Sequence, residues 1–264
     1  MNANLNPHLL GSETVLLKES HHLPFEVFSQ NPSLFGLSGT PYYEVTQRQK
    51  SQTIHYQLLS STAIDEMLNL QDYIYDMLPS KTHLVKDTRE DLYKAFSSGF
   101  AIGILDDQGS IVGYRLVAIP EKGETHLLEN DLKLDRILPK SAHLETTIVL
   151  PNYRGNQLQF KTLVMAQKIL HEQNVTDILC TVSPYNVYSL SNVMKAGLRI
   201  KALKRKYSDK LTNSRGIWRF ILHKSLQTSL EIDFPVKTSI QRVQFNQQQK
   251  LLDNGYEGIS LVDR

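Results

Sequence analysis

Ile54, Tyr56 and Leu58 alternate with polar residues, which predicts a strand with one buried face. The apolar positions Ile64, Met67, Leu68, Ile74 and Leu78 change to helical spacing, and predict a helix over 63–78 capped by Ser61 and Thr62. Thr88, with Arg-Glu-Asp after it, is a second helix start, running to about Ser98 with Gly99 as its stop. Phe100 to Leu105 and Ile111 to Ile119 flank Asp106-Asp107-Gln108-Gly109 and read as a β-hairpin. An apolar strand, His143 to Leu150, runs through Pro151 and a polar turn into a helix over 157–173. In that helix Phe160, Leu163, Ala166 and Leu170 share a face. Thr176 to Val182 is apolar on both faces, which suits a central strand. Asn186 caps a helix carrying Val187, Leu190, Met194 and Ala196, stopped at Gly197. Leu198 to Tyr207 and Gly216 to His223 close the series as an antiparallel pair.

The order β-α-α-β-β-β-α-β-α-β-β predicts an α/β fold: a mixed central sheet flanked by helices. It occupies residues 51–224. Residues 1–50, broken by Pro24, Pro32 and Pro41, read as an irregular N-terminal extension with one short strand. Residues 225–264 read as a C-terminal appendage, with a Gln-rich helix over about 239–252 and Asn254-Gly255 as its stop. The charged excursion at 120–140 is long for a strand connection and is expected to be a lid or a substrate-choosing loop.

Composition narrows the function classes. The 264 residues are 41% hydrophobic and 21% charged, with a formal net charge of +2, so no general nucleic-acid partner and no membrane-surface role is expected. The basic run Lys201 to Lys206 reads as a solvated strand end rather than an RNA or adenosine-phosphate contact. No apolar run approaches the roughly 20 residues of a membrane span. Residues 1–10 lack a basic region followed by an apolar run, so no secretory signal is expected. The single cysteine, Cys180, reads as a buried strand residue and suits a reducing compartment, and a cytoplasmic location is expected. His21 and His22 read as a surface pair, and no metal site is expected.

Val149-Leu-Pro-Asn-Tyr-Arg-Gly-Asn-Gln-Leu-Gln joins a strand, a tight turn and a helix N-terminus. The first backbone N–H groups of a helix have no internal partner and the dipole is positive there, so the stretch is an anion site. Arg154 adds a cation suited to phosphate. Glu145 is the candidate general base. Alternation puts His143, Glu145, Thr147 and Val149 on one face unless a bulge shifts the phase. A carboxylate in a central strand is costly unless paired or functional; the structural alternative pairs it with His143 or a helix cation.

This stretch resembles the acetyl-CoA signature of the GNAT superfamily of N-acetyltransferases. Asn186-Val-Tyr-Ser189-Leu-Ser-Asn-Val-Met-Lys-Ala-Gly197-Leu198 resembles the family's second motif, at a family-like distance. The resemblance covers about Ile54 to His223. It implies a GNAT-like sheet and an enzyme moving an acetyl group from acetyl-CoA to a primary amine of a small molecule or peptide. It further implies cofactor contacts at Ile148, Val149, Leu150, Arg154, Gly155, Asn156, Gln157, Leu158, Gln159, Asn186 and Ser189. A homodimer is compatible with it. The alternative is a non-catalytic acyl-CoA-binding module with a protein partner.

Two departures stand out. Gln157 and Gln159 occupy positions where the family has glycine, so the phosphate cradle is expected to use ordinary backbone angles and the two side-chain amides. The tyrosine that often serves as general acid would align with Val193, which leaves Tyr188, or Tyr185, to substitute. The tetrahedral oxyanion is expected to meet a backbone N–H at Val149 or Leu150.

Overall fold

The computed structural model describes residues 9–17, 50–120, 132, 140–208, 215–227 and 237–262. Eight strands form one sheet: β1 Leu9–Leu17, β2 Lys50–Leu59, β3 Phe100–Leu105, β4 Ile111–Ala118, β5 Ser141–Val149, β6 Asp177–Val182, β7 Arg199–Lys206 and β8 Ile217–Ser225. Their spatial order is β1-β2-β3-β4-β5-β6-β8-β7. Neighbours are antiparallel except β5 and β6, which run parallel. The helices are α1 Ile64–Met77, α2 Arg89–Ser98, α3 Leu158–Glu172, α4 Val187–Lys195 and α5 Phe245–Asp253.

The sheet separates two cores. On one face Met67, Leu70 and Ile74 of α1 and Leu92 and Ala95 of α2 pack on Tyr114, Leu116 and Ile148. On the other, Leu163, Ala166 and Leu170 of α3 and Leu190 and Val193 of α4 pack on Ala142, Leu144, Ile178, Cys180 and Val182. Each fully buried aliphatic side chain contributes about 1.5–3 kcal/mol. A parallel neighbour needs a crossover, and α3 provides it between β5 and β6.

Local sequence explains most boundaries. At α2 the Asp91 N–H donates to Thr88 Oγ1 (3.2 Å) and the Thr88 N–H donates to the Asp91 carboxylate (2.8 Å), a reciprocal cap. Gly99 ends α2 because the chain closes on β4 there: a Cβ would lie 2.0 Å from the Val117 carbonyl oxygen. The start of α1 differs from expectation. Ser61–Ala63 forms a 3-10 turn with no side-chain cap, and Ser60 and Thr62 share a hydroxyl contact of 2.6 Å.

The predicted final pair is present, but β8 lies inside, between β6 and β7. Arg219 to His223 are all buried, as an inner strand requires, while β7 alternates toward the edge. The edge of β7 is partly covered, since Ile200 exchanges backbone bonds with Gly258 (2.9 and 3.0 Å) after α5. At the opposite edge β1 pairs antiparallel with β2. The rest of the N-terminal extension, His21-His22 and nearly all of the 120–140 excursion lie outside the described residues.

Candidate active site

β5 loses one of its two partners halfway along its length. Ser141 to Leu144 face Asp177 to Cys180 of β6, and the pairing stops there, while Thr181 and Val182 pair only with β8. Beyond Leu144 the β6-facing edge of β5 opens into a wedge between two diverging parallel strands.

A bulge sits where the strands part. Against β4, Arg115 faces Thr147 but Val117 faces Leu144, so Leu116 stands opposite both Glu145 and Thr146. The bulge resets the alternation. His143 Nδ1 lies 3.7 Å from Glu145 Oε1, and Ile148 packs in the core beneath α1 and α2. Val149 packs on the α3 side with Leu158 and Met165. The expected single face of His143, Glu145, Thr147 and Val149 therefore holds only for the first two. Leu150 N–H donates to the Val112 carbonyl at 2.9 Å, so it is not available to an oxyanion. By the alternation of an antiparallel ladder, the Val149 N–H points away from β4, into the wedge.

The turn after β5 is built around two left-handed residues. Pro151–Tyr153 forms a 3-10 turn, Gly155 has φ 85° with open space where a Cβ would be, and Gln157 has φ 59°. Gln157 thus does not keep an ordinary backbone angle, and that conformation costs an L-residue on the order of 1 kcal/mol. Among the described residues nothing caps α3 through a side chain, and its first turn holds no acidic residue. The Arg154 guanidinium folds back so that Nε donates to the Val149 carbonyl at 3.0 Å, and burial lowers its pKa. Asn156 Nδ2 donates to the Tyr153 carbonyl at 3.0 Å. The Gln159 amide is committed elsewhere: Nε2 contacts Ser189 Oγ at 3.2 Å and Oε1 accepts from Asn192 at 2.8 Å, tying α3 to α4. Asn186 Oδ1 accepts the Ser189 N–H at 3.1 Å, the expected cap.

The opposite wall of the wedge is acidic. The Glu145 side chain is 39% exposed, yet loss of hydration pushes its pKa up to about 7, with the charges of Asp87 and Asp91 adding to the shift. Asp87 is pushed up to about 6, again by burial first; the Thr146 hydroxyl beside it opposes the shift and Asp91 adds to it. Asp87 is held through its backbone by Gln71: Gln71 Nε2 donates to its carbonyl and its N–H donates to Gln71 Oε1, both at 2.9 Å. From the other side come Tyr207, whose hydroxyl lies 3.0 Å from Thr181 Oγ1, and Arg219, whose guanidinium is 5.5 Å from the Tyr207 ring. Burial raises the Tyr207 pKa and lowers that of Arg219.

Tyr188 is 87% exposed and Tyr185 stacks edge-on against Phe245 at 5.9 Å, while Val193 is buried. The Cys180 thiol is pushed up to about 12 by burial and stays protonated, as expected for a strand residue. In the basic run, Lys201 pairs with Glu257 and Arg205 stacks 4.6 Å over Trp218. Among the described residues no group of His, Cys, Asp and Glu is arranged to hold a metal, and no helix is long and apolar enough to cross a membrane.

Sequence reasoning found Glu145 and the turn but not Asp87, Tyr207 or Arg219. Asp87 carries no signal beyond preceding a helix cap, and Tyr207 closes a run of lysine and arginine. Arg115, a lone cation in an apolar strand, was a visible signal.

No family model matches the sequence, and no curated protein matches it. Solved structures do match. One is Arabidopsis thaliana NAA60 in complex with acetyl-CoA, at 11% identity and TM-score 0.52, covering 66% of this chain and 99% of that one. An acetyltransferase from Acinetobacter baylyi aligns at 14% identity and TM-score 0.50, covering 70% and 99%. An N-acetyltransferase from Staphylococcus aureus aligns at 8% identity and TM-score 0.50, covering 66% and 99%. The chain has the fold of the GNAT N-acetyltransferases, a mixed sheet flanked by helices.

Proposed function

We propose that the chain is an N-acetyltransferase that moves an acetyl group from acetyl-CoA to a primary amine of a small molecule or peptide, by direct attack on the thioester. The observation that carries this reading is the wedge itself: a strand edge without a partner among the described residues, leading from a carboxylate at one end to an uncapped helix N-terminus at the other. That the similar NAA60 structure contains acetyl-CoA supports the choice of ligand.

The residues fit coenzyme A. The first N–H groups of α3, around Gln157, Leu158 and Gln159, have no side-chain cap to compete with a bound anion. Arg154 and Gly155 line the same turn, and Arg154 supplies a cation for the pyrophosphate. Ile148, Val149 and Leu150 form the adjoining strand end, and Asn186 with Ser189 forms the neighbouring helix start. Acetyl-CoA supplies an activated acyl thioester. The Val149 N–H is placed to donate to the developing oxyanion.

Glu145 takes the proton from the acceptor. A lysine-type amine of pKa about 10.4 is only about 1 in 2500 neutral at pH 7, a cost of about 4.6 kcal/mol, so a base held near 7 is well matched. Asp87 and Glu145 give this side of the wedge the negative charge that suits an ammonium ion arriving from water. Tyr188, exposed as it is, receives no step: a thiol of pKa about 8.5 leaves as the thiolate with little assistance.

The test of the ligand is backbone hydrogen exchange with and without CoA. The proposal expects slowed exchange across 149–159 at saturating CoA. Unchanged exchange there, with no shift in melting temperature, contradicts it.

A further inference from the structure

Arg115 lies in the middle of β4 and is 2% exposed. Its strand neighbours are Ile102 and Thr147. Its side chain runs to the α3 face, where Nη2 donates to the Gln159 carbonyl at 2.8 Å and Nε to Thr162 Oγ1 at 3.3 Å. That hydroxyl in turn donates to the Leu158 carbonyl at 2.9 Å. All these acceptors belong to the first turn and a half of α3.

What the side chain lacks is a counter-charge. Among the described residues no carboxylate pairs with Arg115, and the one ionisable group acting on it is the Cys180 thiol. That thiol is held neutral, so it offers no negative charge. Burial pulls the guanidinium pKa down to about 10, which still leaves it charged at neutral pH. A buried cation without an anion is strongly unfavourable. Its position makes this worse, because it sits under the positive end of a helix dipole. Hydrogen bonds to two neutral oxygens do not cancel that field.

An anion at the α3 turn would cancel it. Arg154 stands in the turn that precedes α3 and Arg115 is bonded to the first turns of the same helix, so both cations and the α3 N–H groups would add to the field on that charge. We propose that Arg115 is a positioning residue for the pyrophosphate of coenzyme A, a buried cation that holds the first turn of α3 and adds to its anion field from beneath without touching the ligand. This rests on the acetyl-CoA reading above. It goes beyond it in assigning affinity to a residue outside both motifs.

The test compares CoA with pantetheine, which has the same arm but no phosphate, on the full chain. Three proteins are titrated: wild type, Arg115→Met and Arg115→Lys. The proposal expects Arg115→Met to weaken CoA about tenfold, equivalent to 1.4 kcal/mol. Pantetheine affinity stays within about twofold, because its contacts carry no formal charge. Arg115→Lys, which keeps the charge, recovers most of the CoA affinity. Equal CoA binding by wild type and Arg115→Met overturns the inference. So does an equal loss for pantetheine, or an Arg115→Lys no better than Arg115→Met; either makes Arg115 a packing residue. A wild type that binds no CoA overturns the acetyl-CoA reading instead. If Arg115→Met fails to fold, the wild-type Arg115 Nε–H resonance serves: its solvent exchange slows with CoA and not with pantetheine, and an equal response to both overturns the inference.

Discussion

His143 Nδ1 and Glu145 Oε1 stand 3.7 Å apart on one face of β5, where Glu145 opens the bulge that turns the strand over. The histidine is buried and the carboxylate partly open, so the pair spans the border between core and cleft. Removing the carboxylate charge while keeping its shape isolates its chemistry. Glu145→Gln is expected to lower kcat by about 10²–10⁴-fold, the usual worth of a positioned base, with CoA affinity nearly unchanged. Steady-state kinetics beside CoA titration checks this, and a variant retaining full kcat removes Glu145 from the mechanism.

The pH dependence follows from the same group. With its pKa moved from 4.5 to about 7, Glu145 is mostly protonated at pH 6 and unable to accept a proton. The rate should climb about tenfold per pH unit below 7 and level off above it. The stability effect has the opposite sense. The folded protein binds the proton more tightly than the unfolded chain, so this group's contribution declines as pH rises from 4.5 to 7. Asp87 acts in the same direction between 3.8 and 6. Urea unfolding of Glu145→Gln should show a flatter pH profile than the wild type across this window. A superimposable profile contradicts the shift.

Much of this was legible in the chain. Period-two alternation places β2, apolar runs bounded by turn residues place β3 to β6, most of them buried on both faces, and helical spacing places the four helices of the central region. The turn was legible because Pro151, Arg154 and Gly155 are local signals. The bulge was not: one extra residue leaves no trace in a nine-residue strand, and it moves Thr147 and Val149 to the opposite face. The inward place of β8 depends on long-range pairing with β6, which no local pattern records. Asp87 and Tyr207 act on Glu145 from separate parts of the chain, and Arg219 joins them through the Tyr207 ring, so only the tertiary fold brings them together.

Gln157 offers a test of the turn alone. At φ 59° it holds a conformation that glycine adopts freely. Gln157→Gly should relieve strain of about 1–2 kcal/mol, partly offset by the greater freedom of glycine in the unfolded chain. A net gain of up to about 1 kcal/mol is expected, seen as a higher melting temperature with CoA binding retained. A clear loss of stability would mean that the turn does not hold this conformation.

Gln71 is buried and uses both ends of its amide to hold the Asp87 backbone. Gln71→Ala leaves a partly buried N–H and carbonyl without those partners, a cost of about 1–3 kcal/mol. Asp87 is no longer fixed beside Thr146, so KM for the amine should rise more than KM for acetyl-CoA. Equal effects on both substrates would show that Asp87 has no special relation to the acceptor.

Free-thiol release measures directly whether the wedge between β5 and β6 brings an amine to an acetyl thioester. The protein is incubated with acetyl-CoA at pH 8 and a panel of primary amines, from small diamines to peptide N-termini. Thiol release is expected to require both acetyl-CoA and at least one amine, and to fall in Glu145→Gln. Binding of acetyl-CoA with no amine-dependent release across the panel would contradict it, and would leave the chain as an acyl-CoA-binding module.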